Sequence, residues 1–321
     1  MSGKIVLTTL WGCFAGFWLL TGGAQSKKPA SPPRFRQASY LPDLSGMAWV
    51  GGNRFLAVHD AKLGDGEIAL PRMSVLYLPV GLRGIFFRPN TVSFRGMKSN
   101  DLESAAYIPD TNTVLLVESG DDFDDDNGSI GPDDSDYPQI YKAVVRAKGV
   151  KVIDSTPWPC KPFNVEGTAV ALIDDQYVFF YAERADQLSG TFLKWATFDP
   201  ETMTFDEFSS IEFPSPDPAA YSRPVVALDI DSFGCIYIAS AFDPDDDDGP
   251  FASAVFRIGK LENEDGPVVD LYPEPILEGT LDGLKVESVA IRETAEDGLQ
   301  IFVGVDDENY GGTLRELPTM P

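Results

Sequence analysis

The chain has 321 residues, of which 43% are hydrophobic, and its 50 Asp and Glu outnumber 25 Lys and Arg, which gives a formal net charge of -25 at pH 7. This length and composition allow a large buried core. The acidic surface excludes nucleic acid and anionic membranes as partners, because both are bound through Lys and Arg that neutralise phosphates.

The first 24 residues predict a secretory signal peptide. A short basic start, an apolar run over residues 5–20 and small residues up to Ala24 predict cleavage after Ala24, and hence a secreted or periplasmic protein without stable membrane insertion. An uncleaved anchor is the alternative, although this run is short for a bilayer span. Residues 25–34 are Pro-rich and basic and predict a tether, which leaves 35–321 as one folded domain.

From Leu44 onwards the chain repeats at intervals of about sixty residues. Each of five units contains a short apolar strand, a turn, a second apolar strand and an acidic loop. Equivalent positions at the first strands are separated by 58, 63, 60 and 61 residues: Ser45, Glu103, Glu166, Val226 and Glu287. A third strand follows in each unit, as in SVLYLPV (74–80), and a fourth can be fitted in most.

Units of this kind are typical of propeller blades. We therefore predict an all-β fold, a β-propeller with five blades of four antiparallel strands, or six blades if one is hidden in the sequence. The fifth unit ends after three strands, and the strand-like segment 35–41 has no partners of its own. We expect this N-terminal strand to complete the fifth blade and close the ring. A β-sandwich with accidental internal similarity is the alternative.

The predicted fold gathers acidic side chains at one mouth of the central channel. In a blade, the first strand lines the channel and the second runs back antiparallel, so the start of the first and the end of the second open on the same face. Glu103, Glu166 and Glu287 begin first strands. The acids that end second strands should stand beside them: Asp60, Glu118, Glu183, Asp243 and Asp306.

Carboxylates so close together repel one another unless protons or cations intervene, because charges 4 Å apart interact by about 4 kcal/mol at an effective dielectric of 20. Calcium binds oxygen ligands in flexible geometry, whereas zinc and copper usually need His or Cys. The chain after residue 24 has one His and two Cys. We therefore predict calcium as the cofactor, and a small-molecule substrate or an extracellular partner for a monomeric protein.

The most acidic stretch, DDFDDDNGSIGPDDSD at residues 121–136, falls in the loop after the second strand of blade two. It is not an EF-hand loop, because placing Gly128 at the required glycine position puts Phe123 at the first ligand position. A calcium site and a solvated acidic loop are equal alternatives for this segment.

Four segments resemble the recurring LSGLA, EGIA and EGLA blocks of the phytase-like β-propeller family, called esterase-like activity of phytase. They are LPDLSGMAWVGGNRFLAVHD, NDLESAAYIPDTNTVLLVESGD, NVEGTAVALIDDQYVFFYAER and KVESVAIRETAEDGLQIFVGVDDE. They are nearly as similar to a neighbouring group of uncharacterised bacterial propellers with DLEGAA and EGLA phrases. The resemblance covers most of the chain after residue 24. It implies calcium on an acidic face and phosphomonoester hydrolysis, in which metal ions bridge substrate oxygens and activate water.

Carried onto this chain, the resemblance implies metal and catalytic roles for Glu103, Glu166 and Glu287. The matching second-strand positions are Glu118, Glu183 and Asp307. Blades one and four depart from the pattern, since Ser45 and Val226 stand where a glutamate is expected. Few basic residues map near this face to hold an anionic substrate: Lys62, Arg184, Arg223 and Lys285.

The sequence supports two functions of different classes. One is an exported calcium-binding hydrolase of a phosphoester, ester or lactone, in which metal polarises the substrate and Glu103, Glu166 or Glu287 orients or deprotonates water. The other is a non-enzymatic module that docks a cationic or glycan partner on the same acidic rim. His59, the sole histidine, could act as a base there, but a partly exposed structural histidine is favoured because no G-x-S-x-G motif accompanies it.

Overall fold

The computed structural model describes residues 41–60, 71–78, 86–90, 99, 101–120, 137–146, 149–184, 191–244, 248–306 and 312–318. Within these ranges all regular elements are β-strands, and no helix has the length and apolar character needed to cross a membrane. The strands form five antiparallel sheets in the compact unit Ala38–Pro321. The predicted signal peptide (1–24) and tether (25–34) lie outside the described residues.

Each sheet is one blade, with its strands in chain order from the channel outwards. Blade one contains β1 (Gly46–Trp49), β2 (Arg54–Val58), β3 (Met73–Tyr77) and β4 (Phe86–Asn90). Blade two contains β5 (Leu102–Tyr107), β6 (Thr113–Glu118), β7 (Gln139–Arg146) and β8 (Gly149–Pro157).

The other three blades follow the same plan. Blade three contains β9 (Val165–Ile173), β10 (Gln176–Glu183), β11 (Thr191–Asp199), and the strands β12 (Thr204–Phe205) and β13 (Ser209–Phe213), which both pair with β11. Blade four contains β14 (Arg223–Ile230), β15 (Cys235–Phe242), β16 (Ala252–Asn263) and β17 (Pro267–Asp282). Blade five contains β18 (Val286–Thr294), β19 (Gly298–Asp306) and β20 (Gly312–Glu316).

The first strands of the blades form a closed ring around the channel. β1 contacts β5, β5 contacts β9, β9 contacts β14, β14 contacts β18, and β18 returns to β1. The predicted five-bladed propeller is confirmed, and the six-bladed and sandwich alternatives are wrong. Near the chain ends, the backbone N–H of Gly312 in β20 donates a 3.1 Å hydrogen bond to the carbonyl of Leu41. The rest of the predicted closing strand, residues 35–40, lies outside the described residues.

Hydrophobic cores lie between neighbouring blades, with one cluster at each of the five junctions. Because both faces of a blade are covered, strands such as TVLLVE in β6 are buried throughout and apolar without alternation. Phe55 of blade one and Phe302 of blade five pack with their ring centroids 4.9 Å apart. The blades are therefore held as one rigid ring by the apolar side chains that the repeats share.

Glycines at the starts of two inner strands let neighbouring blades approach closely. A Cβ on Gly46 would lie 2.5 Å from the carbonyl oxygen of Glu103, and a Cβ on Gly167 would lie 2.7 Å from the backbone nitrogen of Leu228. Both clashes involve backbone atoms, which cannot move aside as a flexible side chain can. These glycines thus set the spacing of the inner strands at the end of the channel where the glutamates lie.

Candidate functional site

Glu103, Glu166 and Glu287 occupy equivalent positions in their blades, each as the extra residue of a β-bulge. The pairing of β5 with β6 shifts register between Leu102 and Ser104, so Glu103 has no partner residue on β6. The pairing of β9 with β10 and of β18 with β19 shifts register in the same way, so Glu166 and Glu287 also have no partner residue on the second strand. Bulges re-aim a side chain and recur at functional sites. We call this end of the channel the acidic mouth.

The three glutamates act electrostatically on one another, as expected for side chains at one mouth. The pKa of Glu103 is raised well above its usual range, first by burial and then by the charges of Asp60, Glu166, Asp101 and Glu287. Burial likewise raises the pKa of Glu166 to about 7, although Arg184 opposes the shift. The structure therefore brings together carboxyls from blades one, two, three and five.

Lys285 provides the positive charge at the blade-five side of the mouth. Its Nζ lies 3.0 Å from Glu287, 3.4 Å from Asp243 and 3.5 Å from Asp306, and its side chain is 8% exposed. Burial still raises the pKa of Glu287 to about 8, because loss of hydration outweighs the nearby ammonium. A buried lysine thus balances three of the predicted metal ligands.

Two arginines make similar contacts. Arg184 pairs with Glu166 at 3.0 Å. Arg223 pairs with Asp243 at 2.9 Å and approaches Glu287 at 4.0 Å. Together with Lys285, these are three of the four residues predicted to hold an anionic substrate. In the structure all three of these basic side chains contact carboxylates of the mouth itself.

The second-strand acids of blades two and three face the interior of their own blades. Glu118 accepts hydrogen bonds from the backbone N–H of Gln139 at 2.8 Å and from the Tyr141 hydroxyl at 3.4 Å. Glu183 accepts one from Lys194 Nζ at 2.7 Å. Both carboxylates therefore support the strands behind the mouth. The remaining predicted positions, Asp307 and Lys62, and the acidic loop 121–136 lie outside the described residues.

Glu103 and Arg72 differ from the rest of this group. Glu103 is half-buried and forms no hydrogen bond or ion pair with any residue that the structure describes. Arg72, just before β3, is 3% exposed, and its guanidinium has no hydrogen-bond partner among the described residues. Burial lowers the pKa of Arg72, and the charges of Asp60 and Glu103 oppose this shift. Sequence reasoning missed Arg72, because nothing in the segment LPRMSVLY distinguishes a buried arginine from a surface one.

The carboxylate oxygens on the Glu103 side of the mouth are of the chemical kind that binds hard cations. Asp60, which accepts a 2.7 Å hydrogen bond from Ser45, and Asp101, which accepts one from Ser119, add carboxylate oxygens there, and oxygen ligands are what calcium prefers. On the opposite side, the Lys285 ammonium stands among the carboxylates. Within the described ranges, no three or more His, Cys, Asp or Glu side chains are grouped as metal ligands.

His59 is a structural residue. It is 1% exposed, Nδ1 donates to the carbonyl of Asp43 at 2.5 Å, and Nε2 accepts from the Ser74 hydroxyl at 2.9 Å. Burial lowers its pKa to about 4, which keeps the ring neutral. The favoured structural interpretation agrees with this placement, but the expected partial exposure is wrong because the ring lies between β2 and the start of β3.

Stability should rise as the pH falls from 8 to about 5 in the presence of EDTA. Between their unfolded pKa near 4.5 and their folded pKa of about 7 and 8, Glu166 and Glu287 hold more protons when folded, so raising the pH through this window removes stability. His59 acts oppositely, since stability is lost as pH falls from 6.5 to about 4. The pKa shifts of Glu166 and Glu287 together exceed the opposite shift of His59, so the two carboxyl groups determine the direction of the pH dependence.

Chemical denaturation at pH 5, 6, 7 and 8 measures this dependence. Each pKa unit corresponds to about 1.4 kcal/mol, so the change should be several kcal/mol, and Glu287→Gln should flatten it. A free energy of unfolding that increases steadily from pH 5 to 8 would show that these carboxyls are ionised in the folded protein.

Comparison with known proteins supports the fold. No protein family matches the chain, and no curated protein is similar to it. A thermostable family-43 glycoside hydrolase has 11% sequence identity and a TM-score of 0.50, with 86% of this chain and 88% of that chain covered. An α-L-arabinofuranosidase from Clostridium thermocellum has 12% identity and a TM-score of 0.47 over 86% and 89%. The similarity to the family-43 hydrolase shows a common propeller fold, and the phytase-like resemblance stays a prediction.

Proposed function

We propose that the protein is an exported hydrolase that cleaves a phosphoester, ester or lactone at the acidic mouth, supported by calcium. The observation that carries this proposal is the convergence of Glu103, Glu166 and Glu287, each from a bulge, with raised pKa values. Glu166 and Glu287, with pKa values of about 7 and about 8, are suited to acid–base chemistry near neutral pH.

In this proposal Glu166 acts as the general base and Glu287 as the general acid. Glu166, with a pKa of about 7 and its carboxylate oriented by Arg184, accepts a proton from the attacking water. Glu287, with a pKa of about 8, is mostly protonated at pH 7 and donates to the leaving oxygen. The water oxygen bonds to carbon or phosphorus as the ester bond breaks. A pKa near the working pH favours both transfers.

Glu103, together with Asp60 or Asp101, would hold calcium. Glu103 has no partner among the described residues, and the charges of both aspartates act on it. When bound, calcium would polarise the substrate and neutralise negative charge on its oxygens. Asp243, Asp306 and Glu287 are less suited to a metal, because Lys285 already contacts all three.

Two measurements test this function. Thermal unfolding should occur at higher temperature in 2 mM calcium than in EDTA, since a ligand at 100 times its Kd adds about 2.7 kcal/mol to the free energy of unfolding, and Glu103→Gln should remove this difference.

A panel of p-nitrophenyl phosphates, esters and glycosides and simple lactones should contain a substrate. Glycosides are included because pairs of carboxyls also hydrolyse them. Indifference to EDTA rejects calcium, and a panel without turnover rejects hydrolysis of these classes.

A binding module is the second candidate. The contacts of Lys285, Arg184 and Arg223 with the carboxylates already balance much of the charge, as in a surface that docks a partner without chemistry. Calcium stabilisation without turnover of any substrate in the panel favours this function.

A further inference from the structure

The far mouth of the channel, opposite the acidic mouth, contains a separate cavity of about 410 Å³. It lies at the C-terminal ends of all five inner strands, with Trp49 from β1, Tyr107 from β5, Leu172 from β9, Asp229 from β14 and Ile291 from β18 in its wall. Leu172 follows Glu166 by six residues along β9, which places the two mouths about 20 Å apart. The cavity is therefore distinct from the proposed catalytic site.

Aromatic and apolar side chains form much of this wall. Trp49 and Tyr107 are half-buried, and Val170 and Ile291 are each 5% exposed. The Trp49 indole N–H and the Tyr107 hydroxyl donate to backbone carbonyls in their own turns. These hydrogen bonds fix the aromatic rings in the wall.

Carboxylates without a basic partner complete the cavity. Asp229, Asp231 and Glu293 line it, and none of them forms an ion pair with a residue that the structure describes. Asp229 accepts backbone N–H groups of Ile230 at 2.8 Å and Ile291 at 2.7 Å. The acidic mouth is the opposite case, since its carboxylates contact lysine and arginine.

The nearby arginines do not supply the missing charge. Arg54 donates to the carbonyl of Val50, and Arg292 donates to that of Gly52 and pairs with Asp297. Neither lines the cavity. Asp229 and Glu293 are half-buried and accept hydrogen bonds, but they lack the charge compensation that a basic partner gives to carboxylates held away from water. Burial raises the pKa of Asp229 to about 7. A positively charged ligand would supply the compensation.

We propose that this cavity binds a small organic cation, such as a quaternary or primary ammonium compound. Trp49 and Tyr107 line the cavity and are the aromatic residues that a bound cation can contact, and the carboxyl groups of Asp229 and Glu293 line the same cavity. The volume lies within the range of small-molecule sites. The ligand enters from the far mouth, so binding does not require the acidic mouth to change.

Choline and its neutral isostere 3,3-dimethylbutan-1-ol test this site by isothermal titration calorimetry. Choline should bind saturably at an ionic strength of 0.15 M, where screening weakens general attraction to an acidic surface, and the alcohol should not. Trp49→Leu should weaken choline binding about tenfold because it removes the best cation–π partner.

The substitution Glu293→Gln tests how much the negative charge of Glu293 contributes to choline binding. Glu293 accepts hydrogen bonds from Ser232 N and Oγ, each at 2.9 Å, and a glutamine can keep both by accepting one and donating the other. We expect choline binding to weaken several-fold with unchanged folding. Glu278→Gln, on β17, is the matched control and should bind choline like the wild type. Absence of saturable binding, equal binding of the alcohol, or full binding by Glu293→Gln overturns the proposal, whether or not Trp49→Leu folds.

Discussion

Replacing Lys285 by Met should lower the free energy of unfolding at pH 7 by about 3–5 kcal/mol, the usual effect of removing one partner from a buried charge network. The Lys285 side chain is 8% exposed and contacts Asp243, Glu287 and Asp306, whose side chains are 7%, 14% and 11% exposed. Without the ammonium, the Asp243 and Asp306 carboxylates lose a nearby positive charge in a poorly hydrated place, and Glu287 loses its contact with Lys285. The melting temperature should fall by roughly ten degrees.

Lys260→Met provides the matched control for this experiment. Lys260 pairs with Glu262 at 2.8 Å, but both side chains are more than 40% exposed, and exposed pairs contribute little. The variant should therefore unfold close to the wild-type temperature. If Lys285→Met and Lys260→Met behaved alike, Lys285 would not be the charge that stabilises the mouth.

Glu166→Gln should reduce kcat/KM for any substrate found in the panel by about 100-fold to 10,000-fold, the typical contribution of a general base. The amide cannot accept a proton from water, but it still offers an oxygen to Arg184, which contacts Glu166 at 3.0 Å. We therefore expect a folded protein with a catalytic defect. The acidic limb of the pH–rate profile, which reports the Glu166 pKa, should disappear with it.

Glu278→Gln makes the same chemical change at a distance from the mouth. Glu278 lies in the outer strand β17 and pairs with Arg257 at 3.0 Å, so the variant also weakens one contact between a glutamate and an arginine. Its turnover should equal that of the wild type. Wild-type turnover in Glu166→Gln would remove this residue from the mechanism and leave the binding module as the better hypothesis.

The repeats predicted the propeller because the physical requirement for a blade is local. Each blade needs short apolar strands with covered faces, and segments such as VLLVE in β6 and YVFFYAE in β10 display this directly. The equivalence of Glu103, Glu166 and Glu287 followed from the same spacing. The equivalent positions of these three glutamates in their blades were therefore predictable from pattern alone.

The bulges and the counterions were not predictable in this way. Register shifts at Glu103, Glu166 and Glu287 depend on how two strands pair, which no single segment reveals. The sequence showed an excess of carboxylates and suggested calcium, but it could not show that Lys285, one residue before β18, reaches carboxylates of two blades. Side chains far apart in the chain meet only once the ring closes.

A crystal structure of the protein soaked in calcium tests the account most directly. We expect Glu103, Glu166 and Glu287 to surround one channel opening, with a calcium ion bound to the Glu103 carboxylate and to oxygens of Asp60 or Asp101. Glutamates scattered over separate surfaces, or an ammonium or water in place of calcium at Glu103, would contradict the proposed metal-supported site.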